Sequence, residues 1–269
     1  MSPSTEGNAH LAVLIDADNA DSSINECLLA EVSTFGVASV KRIYGDWTDN
    51  RLNKWKDTLL PHAVQPMQQF AYTSRKNSTD SAMIIDAMDL LHTGALDGFC
   101  LVSSDSDFTR LASRIRESGK TVIGFGERKT PEPFRKACDT FVYTDIFKTE
   151  PETGTPSTAR RSTAELRQDT KLVSRVRAAI EAASGESGTG AALGTLGNII
   201  RKQEPDFDSR NYGYAKLSDL IEAIGLFTVE RKGGGPVMVS AAKPAAQSTD
   251  KSTAKSTAKK SARKAAKKS

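Results

Sequence analysis

The sequence predicts an α/β protein in which a three-layer parallel sheet with helices on both faces precedes a small winged helix-turn-helix domain. Three observations support this. Apolar runs and amphipathic stretches alternate over the first 148 residues, as in successive βαβ units. Several of the apolar runs are uninterrupted, which is the pattern of strands buried on both faces. A later helical segment ends in two short strand-like runs around the glycines of 232–235.

The elements of the first domain follow from this alternation. The predicted strands are 10–16, 37–44, 62–66, 98–103, 120–125 and 140–143. The predicted helices, which carry apolar residues at helical spacing, are 22–35, 49–60, 78–93 and 107–118. Gly36 and Gly119 stand where a glycine after the helix C-terminus would end a helix. We expect a disordered N-terminus at 1–9 and a first domain at 10–148.

A composition change marks the end of this domain. Residues 149–168 are rich in Thr, Glu, Pro, Ser and Arg without apolar periodicity, which predicts a linker. Beyond the linker, helical patterns and then strand-like runs predict the second domain, at 169–240. Its helices are predicted at 170–184, 191–203 and 214–224, and its strands at 226–230 and 236–239. Residues 241–269 are a low-complexity Lys/Ala-rich segment that we expect to be disordered.

The charge of the chain is concentrated in this tail. Residues 243–269 carry nine Lys or Arg and one Asp, a net charge of +8, which leaves −4 for the rest of a chain whose formal charge is +4. A polycationic tail binds RNA or DNA by releasing condensed counterions. A solubility or degradation tail is the alternative interpretation.

Composition also predicts the compartment. The three cysteines, Cys27, Cys100 and Cys138, are odd in number and lie in or beside apolar segments, which favours free thiols in a reducing compartment and no zinc site. No stretch reaches the roughly 18 apolar residues of a membrane span. The polar start lacks the pattern of a signal peptide. We therefore expect a cytoplasmic protein without a membrane partner.

Two acidic clusters follow buried strands. Asp16 and Asn19 come at the end of the first apolar run, and Asp105 and Asp107 follow the apolar run at 99–102. Ligands of parallel α/β sheets bind at the carboxyl ends of the strands. We expect these side chains to converge there, with Asn19 either orienting Asp16 or donating to a phosphate.

A third carboxylate comes from the predicted helix 78–93. Asp80 lies on the same face as the buried-type residues Met83 and Ala87, so its charge should face the sheet. Asp86 lies on the flank of that face as a supporting or structural group, and Asp89 lies opposite it in solvent. For each carboxylate alone, a helix N-cap is the competing interpretation. Only their convergence favours a metal site.

Hard oxygen ligands without nearby His or Cys select Mg²⁺ or Mn²⁺ over zinc. In such a site the metal lowers the pKa of a water and neutralises charge on a phosphodiester, and Asp105 or Asp107 can take the water's proton. Arg75 and Lys76 precede Asp80 in a polar loop and are candidate substrate contacts. Tyr44 is either a base-stacking residue or part of the core.

These residues resemble a known family. The segments 15–19, 76–91 and 102–108 are similar, in order and spacing, to the three motifs of NYN domains of the LabA type, which belong to the PIN-like nuclease group. The resemblance covers residues 10–147. It implies a PIN-like Rossmannoid fold and a metal-dependent ribonuclease, and it implies a set of site residues. The implied site is Asp16, Asp80 and Asp105, with Asn19 and Asp107 supporting. Together with the reasoning from the residues, this gives as candidate metal and catalytic residues Asp16, Asp80, Asp105 and Asp107, and as candidate substrate contacts Asn19, Arg75, Lys76, Ser103 and Ser104.

The second domain resembles an OST-HTH, or LOTUS, module. The similarity rests on residues 207–220 and on Leu226-Phe227. It implies a winged-helix RNA-binding unit in which Arg210, Tyr212 and Lys216 are candidate contacts. Tyr214 is as readily explained as a core residue.

Our leading hypothesis is a ribonuclease with single-stranded RNA as the expected partner, held near the carboxylates by the second domain and the tail. Two alternatives stay open: a nucleic-acid-binding regulator whose acidic pocket does not hydrolyse RNA, and a DNA-associated architectural protein bound through the tail. A site shared between two subunits of an oligomer is also compatible with the sequence.

Overall fold

The first domain is a six-stranded parallel sheet covered by helices on both faces. In the computed structural model, the described residues are 9–70, 78–147, 159–184, 190–231 and 235–241. Residues 1–8 of the N-terminal segment predicted at 1–9, the loop with Arg75 and Lys76, and the basic tail after 241 lie outside them. The strands are β1 (His10–Asp16), β2 (Val37–Gly45), β3 (Gln65–Gln68), β4 (Gly98–Val102), β5 (Thr121–Gly126) and β6 (Thr140–Tyr143).

The sheet order decides where a ligand can bind. The strands run β3-β2-β1-β4-β5-β6 and every pair is parallel. Chain connections therefore leave β1 and β4 toward opposite sides of the sheet, and a crevice opens between the carboxyl ends of these two strands. Ile15 at the end of β1 stands beside Val102 at the end of β4, so the residues that follow each strand meet at this crevice.

Five helices cover the two faces of the sheet. They are α1 (Asn25–Val32), α2 (Asn53–Leu59), α3 (Ser78–Thr93), α4 (Thr109–Glu117) and α5 (Glu132–Ala137). One buried cluster lies between the sheet and α3, α4 and α5, and a second lies between the sheet and α1 and α2. Three of the helices begin with a 3-10 turn capped by an aspartate: Asp21 before α1, Asp49 before α2 and Asp105 before α4.

The predicted α/β class, the parallel sheet and the helices on both faces are confirmed, and three corrections are local. Strand β3 begins three residues later than predicted. Helix α5 was missed because six residues that begin Glu132-Pro133 are too short to show a helical period. Gly119 has the expected positive φ of 76°. Gly36 does not, and it is required instead because a Cβ there would lie 2.3 Å from the Ala9 carbonyl oxygen.

The second domain has the predicted three helices and terminal hairpin. Helices α7 (Thr170–Ser184), α8 (Leu193–Gln203) and α9 (Leu217–Ile224) precede strands β8 (Phe227–Arg231) and β9 (Val237–Ala241), and the short β7 (Ala191–Ala192) pairs with β9.

The predicted linker is wrong at its end, because α6 (Thr163–Gln168) forms there. Ser162 and Glu165 form a capping box at its N-terminus, and the fully buried Leu166 joins the core of the second domain. One apolar residue in a polar segment gave no periodic signal, although the Ser162-x-x-Glu165 spacing is a helix start signal.

The second domain docks on the edge strand β6. The Phe141 backbone N–H donates to the Pro205 carbonyl at 2.8 Å, so the loop before residue 206 covers the open edge of the sheet. Arg135 and the Tyr143 hydroxyl both donate to the Asp206 carboxylate. The interface therefore combines backbone pairing with partly buried charge.

Two further findings bear on the composition-based expectations. Cys27, Cys100 and Cys138 are all free thiols, with Cys27 exposed and the other two buried. No helix among the described residues is long and apolar enough to cross a membrane.

Candidate active site

Asp16 is a buried carboxylate of the crevice between the ends of β1 and β4, which we call the acidic crevice. It ends β1 and is completely inaccessible to solvent. Its Oδ2 atom accepts hydrogen bonds from Asn19 Nδ2 and Ser103 Oγ, both at 2.8 Å, and its Oδ1 atom accepts one from the Asp18 backbone N–H at 3.1 Å. Burial raises the pKa of Asp16, while these hydrogen bonds lower it and so favour the carboxylate. Asn19 therefore has the predicted orienting contact with Asp16.

Ser103 connects the two strand ends. Its buried hydroxyl donates to Asp16 and accepts the Asp105 backbone N–H at 3.1 Å. The neighbouring Ser104 hydroxyl accepts the Glu127 backbone N–H at 2.9 Å. Both hydroxyl groups therefore hold the loop after β4 in place. Contact of either serine with substrate stays a prediction.

Asp105 and Asp107 come from the turn that joins β4 to α4. Asp105 is the N-cap of the 3-10 turn, and its Oδ1 atom accepts the Asp107 backbone N–H at 2.9 Å. Asp105 therefore has the N-cap role that was the competing interpretation to metal binding. This role uses only one of its two carboxylate oxygens. Asp107 is exposed at the crevice.

Asp80 reaches the crevice from the first turn of α3. It is half-buried, whereas Met83 and Ala87 further along the same face are fully buried against the sheet. Burial, together with repulsion from Asp16, Asp105 and the other nearby carboxylates, raises the pKa of Asp80 to about 6. A bound cation would offset the repulsion from these neighbouring carboxylates and so stabilise the ionised form of Asp80.

Three of these carboxylates are close enough to share one metal ion. One oxygen from each of Asp80, Asp105 and Asp107 lies within 4.8 Å of the other two. Asp16, which was predicted as a metal ligand, lies outside this group among the described residues, and its carboxylate is instead hydrogen-bonded to Ser103 and Asn19. The donors are all hard oxygens, and one position is exposed to substrate, so the residues present fit Mg²⁺ or Mn²⁺.

The other acidic residues of this region have structural partners. Asp18 accepts from Thr79 Oγ1 at 3.3 Å and lies 3.9 Å from Arg51. Asp86 accepts from Arg42 and from the Tyr44 hydroxyl, which fixes α3 against β2. Tyr44 is therefore a core residue rather than a base-stacking one, and burial raises its pKa.

The second domain gives its three predicted RNA contacts different surroundings. Arg210 pairs with Glu31 of α1 at 2.7 Å and with Asp208 at 2.6 Å, so its guanidinium already bridges the two domains. The Glu31 hydrogen bond raises the pKa of Arg210. Tyr212 is half-buried beside Arg161, whereas Lys216 is exposed before α9. Contact of these residues with RNA stays a prediction.

Sequence reasoning missed one site. Arg128, Tyr143, Arg161 and Tyr212 line a cavity between the domains, at the same edge of the sheet as the carboxylates. The cavity exists only because the domains dock, and no sequence spacing encodes that docking. The one signal in the sequence was the resemblance of the second domain, which names Tyr212 as a candidate RNA contact.

Comparison with known families agrees with this geometry. The family model of the NYN domain matches residues 10–146, and that of the OST-HTH/LOTUS domain matches residues 168–239. No curated protein matches the chain. A similar solved structure is a protein of unknown function from Vibrio parahaemolyticus. It has 21% sequence identity and a TM-score of 0.44, and the match covers 53% of this chain and 97% of that one.

Proposed function

We propose, from the premise that the chain belongs to the NYN domain family and carries an OST-HTH/LOTUS domain, that it is a divalent-metal-dependent ribonuclease. NYN domains are of nuclease type, and OST-HTH domains bind RNA. The observation that carries the proposal is the group of Asp80, Asp105 and Asp107 carboxylates within 4.8 Å at the crevice of the sheet. The LabA type, the cytoplasmic location and nucleic-acid binding by the tail stay predictions.

These residues have separate roles in the proposed site. Asp80, Asp105 and Asp107 would hold Mg²⁺ or Mn²⁺. Asp16 supports them from behind, because Ser103 links its carboxylate to the Asp105 backbone. When bound, the cation would neutralise charge on the phosphodiester and lower the pKa of a nearby water.

Proton transfer falls to Asp105 or Asp107. Asp107 is exposed to solvent, so a water beside an approaching phosphodiester can reach its carboxylate. Asp105 is half-buried and already holds the turn through one oxygen. This favours Asp107 over Asp105 as the ligand that also accepts the proton.

The direct test is incubation of the full chain with labelled RNA or DNA in Mn²⁺, Mg²⁺ or EDTA. Asp105→Asn is the key variant, because Asn caps the turn as well as Asp does while removing the charge. Asp89→Asn is the matched control, since Asp89 is an exposed carboxylate of α3 outside the crevice. We expect RNA cleavage by the wild type and by Asp89→Asn in Mn²⁺ or Mg²⁺ but not in EDTA, and none by Asp105→Asn.

Two results would contradict the proposal. Equal cleavage by wild type and Asp105→Asn would show that the carboxylate site is not needed for cleavage. Metal binding without cleavage of any RNA would favour the non-catalytic regulator instead.

A further inference from the structure

A polar cavity of about 170 Å³ lies between the two domains, apart from the acidic crevice. We propose that it is a binding subsite for one nucleotide of a single-stranded RNA, with its base against tyrosine and its phosphate on arginine. This inference deepens the proposed function and rests on it for the identity of the polymer. The volume equals about six waters at about 30 Å³ each, which suits a single base or phosphate and excludes a duplex.

The first domain supplies one wall from the ends of its last two strands. Arg128 follows β5, and its guanidinium lies 5.6 Å from the ring centre of Tyr143 at the end of β6. The Arg128 backbone N–H donates to Asp145 at 2.9 Å, which fixes the base of the side chain. Within the described part of the chain, no carboxylate forms an ion pair with the Arg128 guanidinium. Its N–H donors can therefore serve a phosphate.

The second domain supplies the opposite wall. Arg161 lies 5.1 Å from the ring centre of Tyr212, and its Nη1 atom is 3.3 Å from Asp169. Arg175 also lines the cavity and pairs with Glu204 at 2.9 Å. Both guanidinium groups are thus held in fixed positions, and each keeps donors beyond those pairs, because a guanidinium has five. A preorganised cation loses little entropy when it binds an anion.

Asn211 also lines the cavity. Its Nδ2 atom donates to the Asp206 carbonyl at 3.2 Å, which holds the amide in the cavity wall. Its Oδ1 atom is buried and closed to solvent, so this oxygen offers no contact to a ligand in the cavity.

The charge balance favours a nucleotide over a simple anion. Three arginines and two aspartates, Asp169 and Asp206, line the cavity, so the net charge of its lining is only +1. An inorganic anion would gain little there. A nucleotide adds stacking on a tyrosine ring, which is typically worth about 1–3 kcal/mol per base.

The position of the cavity favours a polymer over a free nucleotide. β5 is next to β4 and β6 is next to β5, and neighbouring strands lie about 4.8 Å apart. Arg128 and Tyr143 therefore stand one and two strands away from the strand that precedes Asp105, at the same edge of the sheet. A single strand that crosses the carboxylates reaches the cavity by continuing along this edge.

The test compares Arg128→Ala with Lys129→Ala in the full chain. Lys129 is the matched control: it is the next residue, its side chain is exposed and paired with Glu127 at 2.7 Å, and it does not line the cavity. Anisotropy of labelled single-stranded RNA is measured in EDTA, so that no cleavage occurs, and at raised salt, which weakens binding by the tail. A second measurement maps photo-crosslinks from 4-thiouridine RNA by mass spectrometry.

We expect Arg128→Ala to weaken single-stranded RNA binding about fivefold and Lys129→Ala less than about twofold, with crosslinks in the Tyr143 or Tyr212 peptides. Equal effects of the two variants, crosslinks only elsewhere, or the same loss with duplex RNA would overturn the proposal. Binding of free AMP at the cavity with unchanged RNA affinity would overturn it too, and would assign the site to a small nucleotide.

Failure here differs from failure of the ribonuclease proposal. Cleavage in Mn²⁺ with RNA affinity unaffected by Arg128→Ala contradicts the subsite alone. RNA binding that depends on Arg128, without any cleavage, contradicts the ribonuclease alone.

Discussion

Two parts of one sheet edge carry opposite chemistry. At the crevice between β1 and β4, carboxylates gather without enough positive charge, and burial together with their mutual repulsion raises the pKa of Asp80 to about 6. At the ends of β5 and β6, arginines and aspartates nearly balance around two tyrosines. The first region needs a cation to be stable as a set of anions. The second is close to neutral and offers surfaces that fit a base and a phosphate.

The two regions also differ in how they are built. All the crevice residues come from one domain and are fixed by its sheet, by α3 and by the Ser103 hydroxyl. The cavity needs both domains, held together by contacts such as Arg135 with Asp206 and Arg210 with Glu31. We infer that the crevice determines whether RNA is cleaved, whereas the cavity affects how tightly RNA is held.

The largest expected difference is kinetic. Asp80→Asn should lower kcat/KM for Mn²⁺-dependent RNA cleavage by more than about 100-fold, because loss of a ligand exceeds the roughly 10–100-fold typical of an outer partner. Arg128→Ala should raise KM about fivefold and leave kcat unchanged, because it removes binding that is equal in ground and transition states. Steady-state cleavage of labelled RNA measures both. A fall in kcat for Arg128→Ala as large as that for Asp80→Asn would abolish the distinction.

Ser103→Ala tests the support behind the carboxylates. We expect about 10–100-fold lower Mn²⁺ affinity or cleavage rate, because the hydroxyl that links Asp16 to the Asp105 backbone is lost. Ser113→Ala is the control, since that hydroxyl donates to the Thr109 carbonyl of its own helix at 3.0 Å and has no other partner in the described part of the chain. Melting temperatures separate loss of fold from loss of site. The same small effect for both variants would show that Ser103 does not position the site.

Asp206→Ala tests whether the cavity depends on domain docking. It leaves the partly buried Arg135 and the Tyr143 hydroxyl without their shared acceptor, so the domains should dock less tightly. We expect single-stranded RNA binding to weaken about fivefold, as for Arg128→Ala, with Mn²⁺ affinity unchanged. Calorimetry with Mn²⁺ and anisotropy with RNA measure the two quantities. A parallel loss of Mn²⁺ affinity would mean that the crevice also depends on the second domain.

The smallest effect concerns stability without metal. Because the pKa of Asp80 is about 6 in the folded protein against an ordinary value of 3.8, the folded state holds this proton more tightly. Stability should therefore rise as pH falls from about 7 to about 4. Asp80→Asn should stabilise the metal-free protein by about 1 kcal/mol at pH 7, allowing for solvent screening of this half-exposed group. Urea unfolding at the two pH values checks this. A difference in unfolding free energy between Asp80→Asn and the wild type that grows toward pH 4 would contradict it.

The sequence predicted much of the first domain for a physical reason. Its central strands β1 and β4 contain uninterrupted apolar runs, and its longest helix carries a clear apolar face, so local patterns coincide with tertiary burial. Helix α3 was predicted with the bounds that the structure gives it. The carboxylates were predictable because the ends of parallel strands must meet at one edge, and the phase of α3 turns Asp80 toward that edge.

The features that depend on contacts between distant parts of the chain could not be predicted from the sequence. Arg210 was predicted as an RNA contact from its motif, yet its partner Glu31 lies 179 residues earlier in the chain. Helix α6 contributes one buried side chain, Leu166, to a core formed by distant residues. The cavity likewise joins Arg128 to Arg161 across the domain boundary. No local pattern carries that information.

The central claim, that Asp80, Asp105 and Asp107 hold a divalent cation, is tested most directly by Mn²⁺ titration of the full chain. Calorimetry, supported by the electron paramagnetic resonance signal of free Mn²⁺, should reveal a saturable site in the wild type and in Asp89→Asn. That site should be lost in Asp80→Asn and in Asp105→Asn. Mn²⁺ binding of the same stoichiometry and affinity in all four proteins would contradict the account.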